Sequence, residues 1–387
     1  MSQSPKATMT PRERVRTALA HREPDRVPLD LGSTGNTGIT AIAYRKLLNH
    51  LGIEAEVVVW DRMQQLAVPD ERVLLRLGID TRGIWPGGPD NRKDRELEGD
   101  SYEDEWGVVR SRPPGGFYYD LVRSPLAGDV TMADVRSFPW PDPEDPGRVR
   151  GLREKARAIH EHTPYALVVH AANGFITRSQ YLRGFEDWFT DLIAQPDLIA
   201  YVMDHTLEFQ MATAEAALKA TGDFADVVML GDDIGVQHGP MVSPAIYRKL
   251  IKPRQAKLFA RIHELTSAKL LYHTCGSVVD LVDDLIEIGV DVLNPVQVAA
   301  DRMDTAELKR RFGDRISFWG GIDTQRVMPM GSPEDVRAEA RRRIRDLAPG
   351  GGYVVDTVHN VQADVPPENI CALYEEAARF GRYPIGV

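Results

Sequence analysis

A histidine and a cysteine two residues apart are the first side chains in this sequence with an evident chemical use. His273 and Cys275 end the apolar run AKLLYHTCG, which begins at Ala268. Side chains two apart on an extended chain point to the same side, so both could reach one metal ion. Imidazole and thiolate are common zinc ligands. The spacing alone favours a packed histidine beside a buried thiol, so the zinc interpretation needs a further ligand.

His359 is the candidate for that further ligand. It ends another apolar run, GYVVDTVHN from Gly352. If both runs are strands of one barrel, their carboxyl ends face the same mouth. His273, Cys275 and His359 then form a three-ligand set with an open fourth position, as catalytic zinc requires. The alternative for His359 is a loop histidine that hydrogen-bonds to the chain.

Polar residues at the ends of other apolar runs are candidates for catalysis and substrate binding. Asp232 and Asp233 end the run DVVMLGDD, and adjacent side chains on an extended chain point to opposite sides. We expect one carboxylate at the mouth as an acid or base, a substrate or metal ligand, or a partner of a histidine. The alternative is an exposed pair that caps a turn. The predicted substrate-binding residues are Asn173, Asn294, Gln297, Asp323 and Gln362.

Two further candidates are predicted to be structural. His170 ends the run YALVVHAA and is expected to be a core histidine rather than a spare ligand. Cys371 lies in the helical pattern ENICALYEEAARF, which favours a core or interface thiol over a metal ligand.

Eight strand-like runs must position these side chains. Most are continuously apolar, which is typical of strands buried on both faces, and helical patterns separate them. They begin at Arg26, Leu77, Tyr165, Asp226, Ala268, Asp291, Arg315 and Gly352. Eight alternating strands and helices predict a single (β/α)8 (TIM) barrel of class α/β. A doubly wound open sheet is the alternative, although no GxGxxG fingerprint occurs.

A long insert separates the second and third runs, at about residues 86–160. It alternates apolar and polar residues around Pro113–Gly116, which predicts a β-hairpin, placed near one barrel mouth as a lid. The sequence has no repeats, low-complexity tracts or linker. We therefore expect one domain over residues 1–387.

Composition limits the class of protein. The 387 residues carry a net charge of −10, with 43% hydrophobic residues and two cysteines. The acidic balance argues against nucleic-acid or membrane partners, and no apolar run is long enough to span a membrane. The polar N-terminus and the few cysteines predict a cytoplasmic protein. Whether it forms a homo-oligomer is left open.

Several stretches resemble the uroporphyrinogen decarboxylase superfamily across nearly the whole chain. They include TPRERVRTALAHREPDRVP, YHTCGSVVDLVDDLIEIGVDVLNPVQ, FWGGIDTQ and HNVQADVPPENI. The resemblance implies one (β/α)8 barrel and either a decarboxylase or a zinc-dependent corrinoid methyltransferase. The decarboxylase branch has an arginine-rich RQAGRY-like segment after the first strand, which suits a substrate with many carboxylates. Here that place reads LGSTGNTGIT, so porphyrinogen decarboxylation is not expected.

The methyltransferase branch uses HxC and a later cysteine as its zinc ligands. His273 and Cys275 match the pair, whereas His359 stands where the cysteine would be. A zinc site with two histidines and one thiolate has a formal charge of 2 − 1 = +1, against 2 − 2 = 0 for the branch's usual set. A more positive zinc is a stronger Lewis acid and better polarises the oxygen of a methyl ether. The chain thus resembles the branch that demethylates small methoxylated compounds.

The resemblance also implies a corrinoid (cobalamin) cofactor. The DxHxxG motif of corrinoid-binding domains is absent, so the corrinoid is expected on a separate partner protein. The predicted reaction moves a methyl group from a small methylated or methoxylated donor to that corrinoid. The alternatives are methyl transfer from the corrinoid to a thiol, decarboxylase or lyase activity, and a non-catalytic ligand-binding barrel.

Overall fold

The computed structural model describes residues 9–386, which form fifteen strands. In chain order they are β1 (Val59–Asp61), β2 (Leu66–Ala67), β3 (Thr81–Ile84), β4 (Arg95–Leu97), β5 (Ser101–Glu103), β6 (Val109–Ser111), β7 (Asp120–Arg123), β8 (Ala166–His170), β9 (Val227–Gly231), β10 (Gly235–Val236), β11 (Gly239–Pro240), β12 (Lys269–His273), β13 (Val292–Asn294), β14 (Ser317–Trp319) and β15 (Tyr353–Val354). Seven of them form one parallel sheet in the order β15-β14-β13-β12-β9-β8-β3.

Fifteen α-helices accompany the strands over residues 9–386. They are α1 (Pro11–Leu19), α2 (Ala41–Leu51), α3 (Glu71–Leu77), α4 (Met132–Arg136), α5 (Leu152–His162), α6 (Phe175–Arg183), α7 (Phe185–Ala194), α8 (Pro196–Thr221), α9 (Pro244–Ile246), α10 (Lys252–Leu265), α11 (Val282–Glu287), α12 (Thr305–Phe312), α13 (Val327–Met330), α14 (Pro333–Leu347) and α15 (Pro367–Phe380). Within the described part of the chain, no helix has both the length and the apolar character that crossing a bilayer requires.

Each of the seven parallel strands lies inside one of the apolar runs read from the sequence. Their side chains are buried on both faces of the sheet, as the runs predict. The first predicted strand, from Arg26, is wrong as a regular strand and makes only isolated bridges. Pro28 interrupts it, because proline has no N–H to donate to a ladder.

The segment around Leu29 nevertheless links the two edge strands of the sheet. Asp30 N–H donates to Val355 O (3.0 Å) just beyond β15, and Asp80 N–H, just before β3, donates to Leu29 O (2.9 Å). A sheet of seven parallel strands joined in this way is consistent with a (β/α)8 barrel.

Helix α1 closes the amino-terminal end of this barrel. A capping box begins this helix, since Thr10 and Glu13 each bind the other's backbone N–H. Val15 and Leu19 of α1 pack into a cluster of interior strand residues. That end of the barrel is therefore filled by side chains.

The chain between β3 and β8 contains a second sheet. Strands β4 to β7 pair antiparallel in chain order, and Pro113–Gly116 lies between β6 and β7. We call these four strands, residues 95–123, the insert sheet. Its side chains contribute to the cavity described next.

Candidate metal centre and its cavity

The carboxyl ends of β8, β9 and β12 line a cavity of about 360 Å³. This volume lies toward the lower end of the range of small-molecule sites, about 300–1000 Å³. The candidate residues from the sequence analysis that line it are Asn173, Asp232, Asp233, His273, His359 and His170. This is the end of the barrel at which catalytic groups are expected.

His273, Cys275 and His359 come together at this end. One nitrogen of each imidazole and the Cys275 sulfur all lie within 4.8 Å of one another. Cys275 Sγ is 3.5 Å from His273 Nε2, and the two imidazole rings have centroids 5.4 Å apart. As the alternation of side chains along a strand predicts, His273 and Cys275 lie on one side of β12 and its extension.

Asn294 at the end of β13 fixes the orientation of His273. Asn294 Nδ2 donates to Trp319 O (3.1 Å), so its Oδ1 faces His273 Nδ1 at 2.6 Å and accepts a hydrogen bond from it. The proton of neutral His273 is therefore on Nδ1. The lone pair on Nε2 points toward Cys275 and is free for a metal.

The protonation of the three side chains also suits a metal. Burial lowers the pKa of His273 and of His359 to about 4, so both imidazoles are neutral at physiological pH. Burial, with a smaller effect of Asp233, raises the pKa of the Cys275 thiol well above its usual value. A bound cation would displace that thiol proton and gain an anionic ligand. Two neutral imidazoles and one thiolate fit tetrahedral zinc with a position left open.

Asp232 and Asp233 occupy different environments. The Asp232 carboxylate is buried and accepts hydrogen bonds from Ile176 N–H (3.1 Å) and Thr177 N–H (2.8 Å) at the start of α6. Burial raises the pKa of Asp232 to about 7 although these N–H groups favour its charged form. Asp233 is half exposed, accepts from Cys275 N–H (2.7 Å) and lies 3.9 Å from His273 Nε2.

Two glycines permit these close approaches. A Cβ on Gly174 would lie 1.7 Å from an Asp232 oxygen, and one on Gly231 would lie 2.7 Å from His273 Cβ. Any larger residue at either position would therefore displace a side chain of the site.

Only one of the five predicted substrate-binding residues lines the cavity. Asn173 lines the cavity, whereas Asn294 is fully buried between His273 and Trp319 and does not. The other three also lie outside the cavity lining and are engaged in local contacts: Gln297 accepts from Gly276 N–H, Asp323 accepts from Gln325 N–H, and Gln362 donates to Asn360 O.

Much of the cavity wall was not anticipated from the sequence. The loop after the first predicted strand, the β1–β2 region, the insert sheet and α6 all contribute polar side chains. They include Asn36, Asp61, Tyr102, Asp104, Arg110 and Arg178. No spacing pattern marks these residues, because they come from segments far apart in the chain.

A second chamber of about 310 Å³ adjoins the cavity and shares Asp61, His170, Asn173 and Arg178 with it. Aromatic side chains form part of its wall: Trp60 stacks on Trp85 with ring centroids 4.0 Å apart, and Trp106 and Phe209 also line it. His170 is thus a wall residue between two spaces. Burial lowers its pKa to about 4.

Comparison with known proteins identifies the family. The sequence model of uroporphyrinogen decarboxylase (URO-D) matches residues 124–380. The chain belongs to the URO-D family. The family resemblance inferred from HTCG and the PPEN region is thereby confirmed.

Curated members of the URO-D family that resemble this chain fall into two groups. Methylcobamide:CoM methyltransferase MtaA of Methanosarcina barkeri is 26% identical over 231 residues, which cover 58% of this chain and 62% of that relative, less than two thirds of its length. Uroporphyrinogen decarboxylase of Coxiella burnetii (strain RSA 493 / Nine Mile phase I) is 24% identical over 289 residues, 69% of this chain and 74% of that one.

A solved structure supports the fold. A methyltransferase from Methanosarcina mazei superposes with a TM-score of 0.65 at 19% identity, covering 96% of this chain and 99% of that chain. The barrel-like architecture is thus shared along nearly the whole length of both chains.

Proposed function

We propose that this URO-D family protein is a zinc-dependent methyltransferase. It moves a methyl group from a small methoxylated or methylated compound to a corrinoid carried by a partner protein. The observation that carries the proposal is the set of three donor atoms from His273, Cys275 and His359, held within 4.8 Å at the mouth of the barrel. The similarity to a methylcobamide:CoM methyltransferase supports the corrinoid part.

The chain's own residues divide the work. His273, Cys275 and His359 would hold zinc, which when bound supplies a Lewis acid for a substrate heteroatom. Asn294 positions His273, a role that replaces the expected substrate contact. Asp232, whose pKa is about 7, can hold a proton at the cavity wall near neutral pH. Asn173 and Asp233 line the space in which the methyl donor binds.

The first experiment measures metal content. We expect about one zinc per wild-type chain and little zinc in Cys275→Ser, with an unchanged circular dichroism spectrum. Cys371→Ser is the matched control, because Cys371 is buried in α15, away from the site, and should keep full zinc. Full zinc occupancy in Cys275→Ser would refute the ligand assignment.

The second experiment decides the direction of transfer. Methyl transfer to the corrinoid predicts demethylation of methoxylated compounds that depends on added reduced corrinoid protein. Methyl transfer to a thiol, the reaction suggested by the name of the MtaA relative, predicts consumption of methylcobalamin with a thiol instead. Decarboxylase or lyase activity that survives complete removal of zinc would favour that class of enzyme over a methyltransferase. No turnover in any of these assays would favour a ligand-binding barrel.

A further inference from the structure

Arg110 differs from every other buried arginine in residues 9–386. Six arginines are less than 10% exposed: Arg14, Arg82, Arg110, Arg148, Arg183 and Arg343. Five of them form ion pairs, namely Arg14 with Asp25, Arg82 with Glu71, Arg148 with Glu105, Arg183 with Asp191 and Arg343 with Glu339. Arg110 is 4% exposed, and within the described residues no carboxylate oxygen lies within 4.0 Å of its nitrogens.

The immediate surroundings of Arg110 leave its hydrogen-bonding edge open. It lies on β6 of the insert sheet, and its guanidinium stacks on the Tyr181 ring at 4.3 Å. Stacking covers the face of the guanidinium, while its N–H groups lie in the plane. Its side chain donates no hydrogen bond to any residue of the described chain, and it lines the cavity that His273 and His359 also line.

The other charged groups of the cavity already have partners. Asp61 accepts from the backbone N–H and side chain of Gln64, and Asp104 pairs with Arg178 at 3.4 Å. Asp232 and Asp233 accept the backbone N–H groups of Ile176, Thr177 and Cys275 described above. Burial raises the pKa of Asp61, with a small opposite effect of Arg110, whose nitrogens lie more than 4.0 Å from the Asp61 carboxylate oxygens.

An unpaired buried charge is costly, because the protein must replace the water that the charge gives up. Five of the six buried arginines have carboxylate partners from the chain, whereas Arg110 faces the cavity. A ligand bound in the cavity can supply the anionic partner that the chain does not. A planar guanidinium edge matches the two oxygens of a carboxylate. We propose that Arg110 binds the carboxylate of the substrate, so that the methyl donor belongs to the small methoxylated or methylated carboxylic acids.

The description of this ligand as a methyl donor rests on the proposed function, but carboxylate binding by Arg110 does not. Binding is therefore tested without corrinoid protein and without turnover. The probes are methoxyacetate and 3-methoxybenzoate, each compared by calorimetry with its neutral primary amide. The protein carries Cys275→Ser, so that a carboxylate cannot gain affinity by binding zinc.

We expect the carboxylates to bind this protein about 10- to 100-fold more tightly than their amides, as for a charge-assisted bidentate contact. Arg110→Gln should abolish the preference, and Arg110→Lys, which keeps the charge but not the fork, should restore part of it. Arg123→Gln is the matched control, because Arg123 lies on the same sheet, is 62% exposed and pairs with Glu103.

Equal affinity for acid and amide in the Cys275→Ser protein would overturn the proposal. So would a carboxylate preference that persists in Arg110→Gln. If Arg110→Gln fails to fold, Arg110→Lys carries the test: an undiminished preference in that variant would rule out the bidentate contact. A carboxylate preference in a protein that shows no methyl transfer would support the anion site while refuting the proposed function.

Discussion

The two ends of the barrel treat buried charge in opposite ways. At the amino-terminal end, Asp80 accepts hydrogen bonds from Arg14, from Arg26 and from Leu29 N–H, and Arg14 also pairs with Asp25. We call these four charged residues the basal cluster. At the carboxyl end, Arg110 has no carboxylate partner within the described chain, and neutral His273 and His359 keep nitrogens facing the cavity. Charges at the base serve the fold, whereas groups at the mouth are left available for a ligand.

The comparison predicts that the basal cluster matters for stability and not for the metal. Asp80→Asn leaves Arg26 without its buried carboxylate and should lower the free energy of unfolding by about 3–5 kcal/mol. Urea denaturation measures this change. Asp301→Asn, at an exposed pair with His238, should change it little. The zinc content per folded chain of Asp80→Asn should stay at the wild-type value. Loss of zinc without loss of stability in this variant would contradict the separation of the basal cluster from the metal centre.

Asn294 is buried like the basal cluster, and it also contacts His273, a candidate metal-binding residue. Asn294→Leu should weaken zinc binding about 10- to 100-fold, since the orientation of His273 is lost. Competition with a chelator measures the affinity. Asn369→Leu is the control, because Asn369 is equally buried and donates to Met328 O and Gly331 O, away from the site. Equal zinc affinity in both variants would contradict the positioning role.

His359→Cys tests the charge of the centre. Zinc should remain bound, but the formal charge of the site falls from +1 to 0, so a departing oxygen is stabilised less. We expect ether demethylation to fall about tenfold at unchanged zinc content. Equal demethylation rates in the wild type and His359→Cys would contradict the charge argument for methyl ethers. Methyl transfer to a thiol would then be supported as well as ether demethylation.

His170 tests the pH dependence of stability rather than the metal centre. Its pKa is about 4 in the folded protein against an ordinary 6.5, so between these values the unfolded chain binds the proton that the folded chain excludes. Stability is therefore lost as the pH falls from about 6.5 to about 4. In metal-free protein, His170→Gln should lose less stability between pH 7 and pH 5 than wild type does. His238→Gln, at an 81% exposed side chain, should behave like wild type.

The sequence was sufficient to predict the seven parallel strands and to single out the three candidate metal ligands that the fold brings together. Continuous apolar runs locate the seven parallel strands, because burial on both faces leaves no room for polar residues. The spacing in HTCG fixes the relative direction of His273 and Cys275. The run from Arg26 predicted a regular strand that the structure does not have. The apolar pattern of a run does not show that Pro28 lacks an N–H for the ladder.

Side-chain direction beyond a strand end was harder to predict. Asn294 ends β13 and Gln297 follows it, as expected, but tertiary contacts turn the first toward His273 and the second toward Gly276. Arg110 looks no different in sequence from Arg112 or Arg123. Only the packing of the insert sheet against α6 distinguishes it, by burying it beside Tyr181.

The cavity wall combines strand-end residues of the barrel with residues of several connecting segments, among them the insert sheet. The candidate metal ligands come from strand ends of the barrel, whereas Tyr102, Asp104 and Arg110 come from the insert sheet, residues 95–123. Mutations in that sheet can reshape the wall without moving any residue of the barrel core. Selectivity can thus diverge among homologues while the reactive centre is kept, and grafting the insert of one homologue onto the barrel of another offers a direct route to new donors.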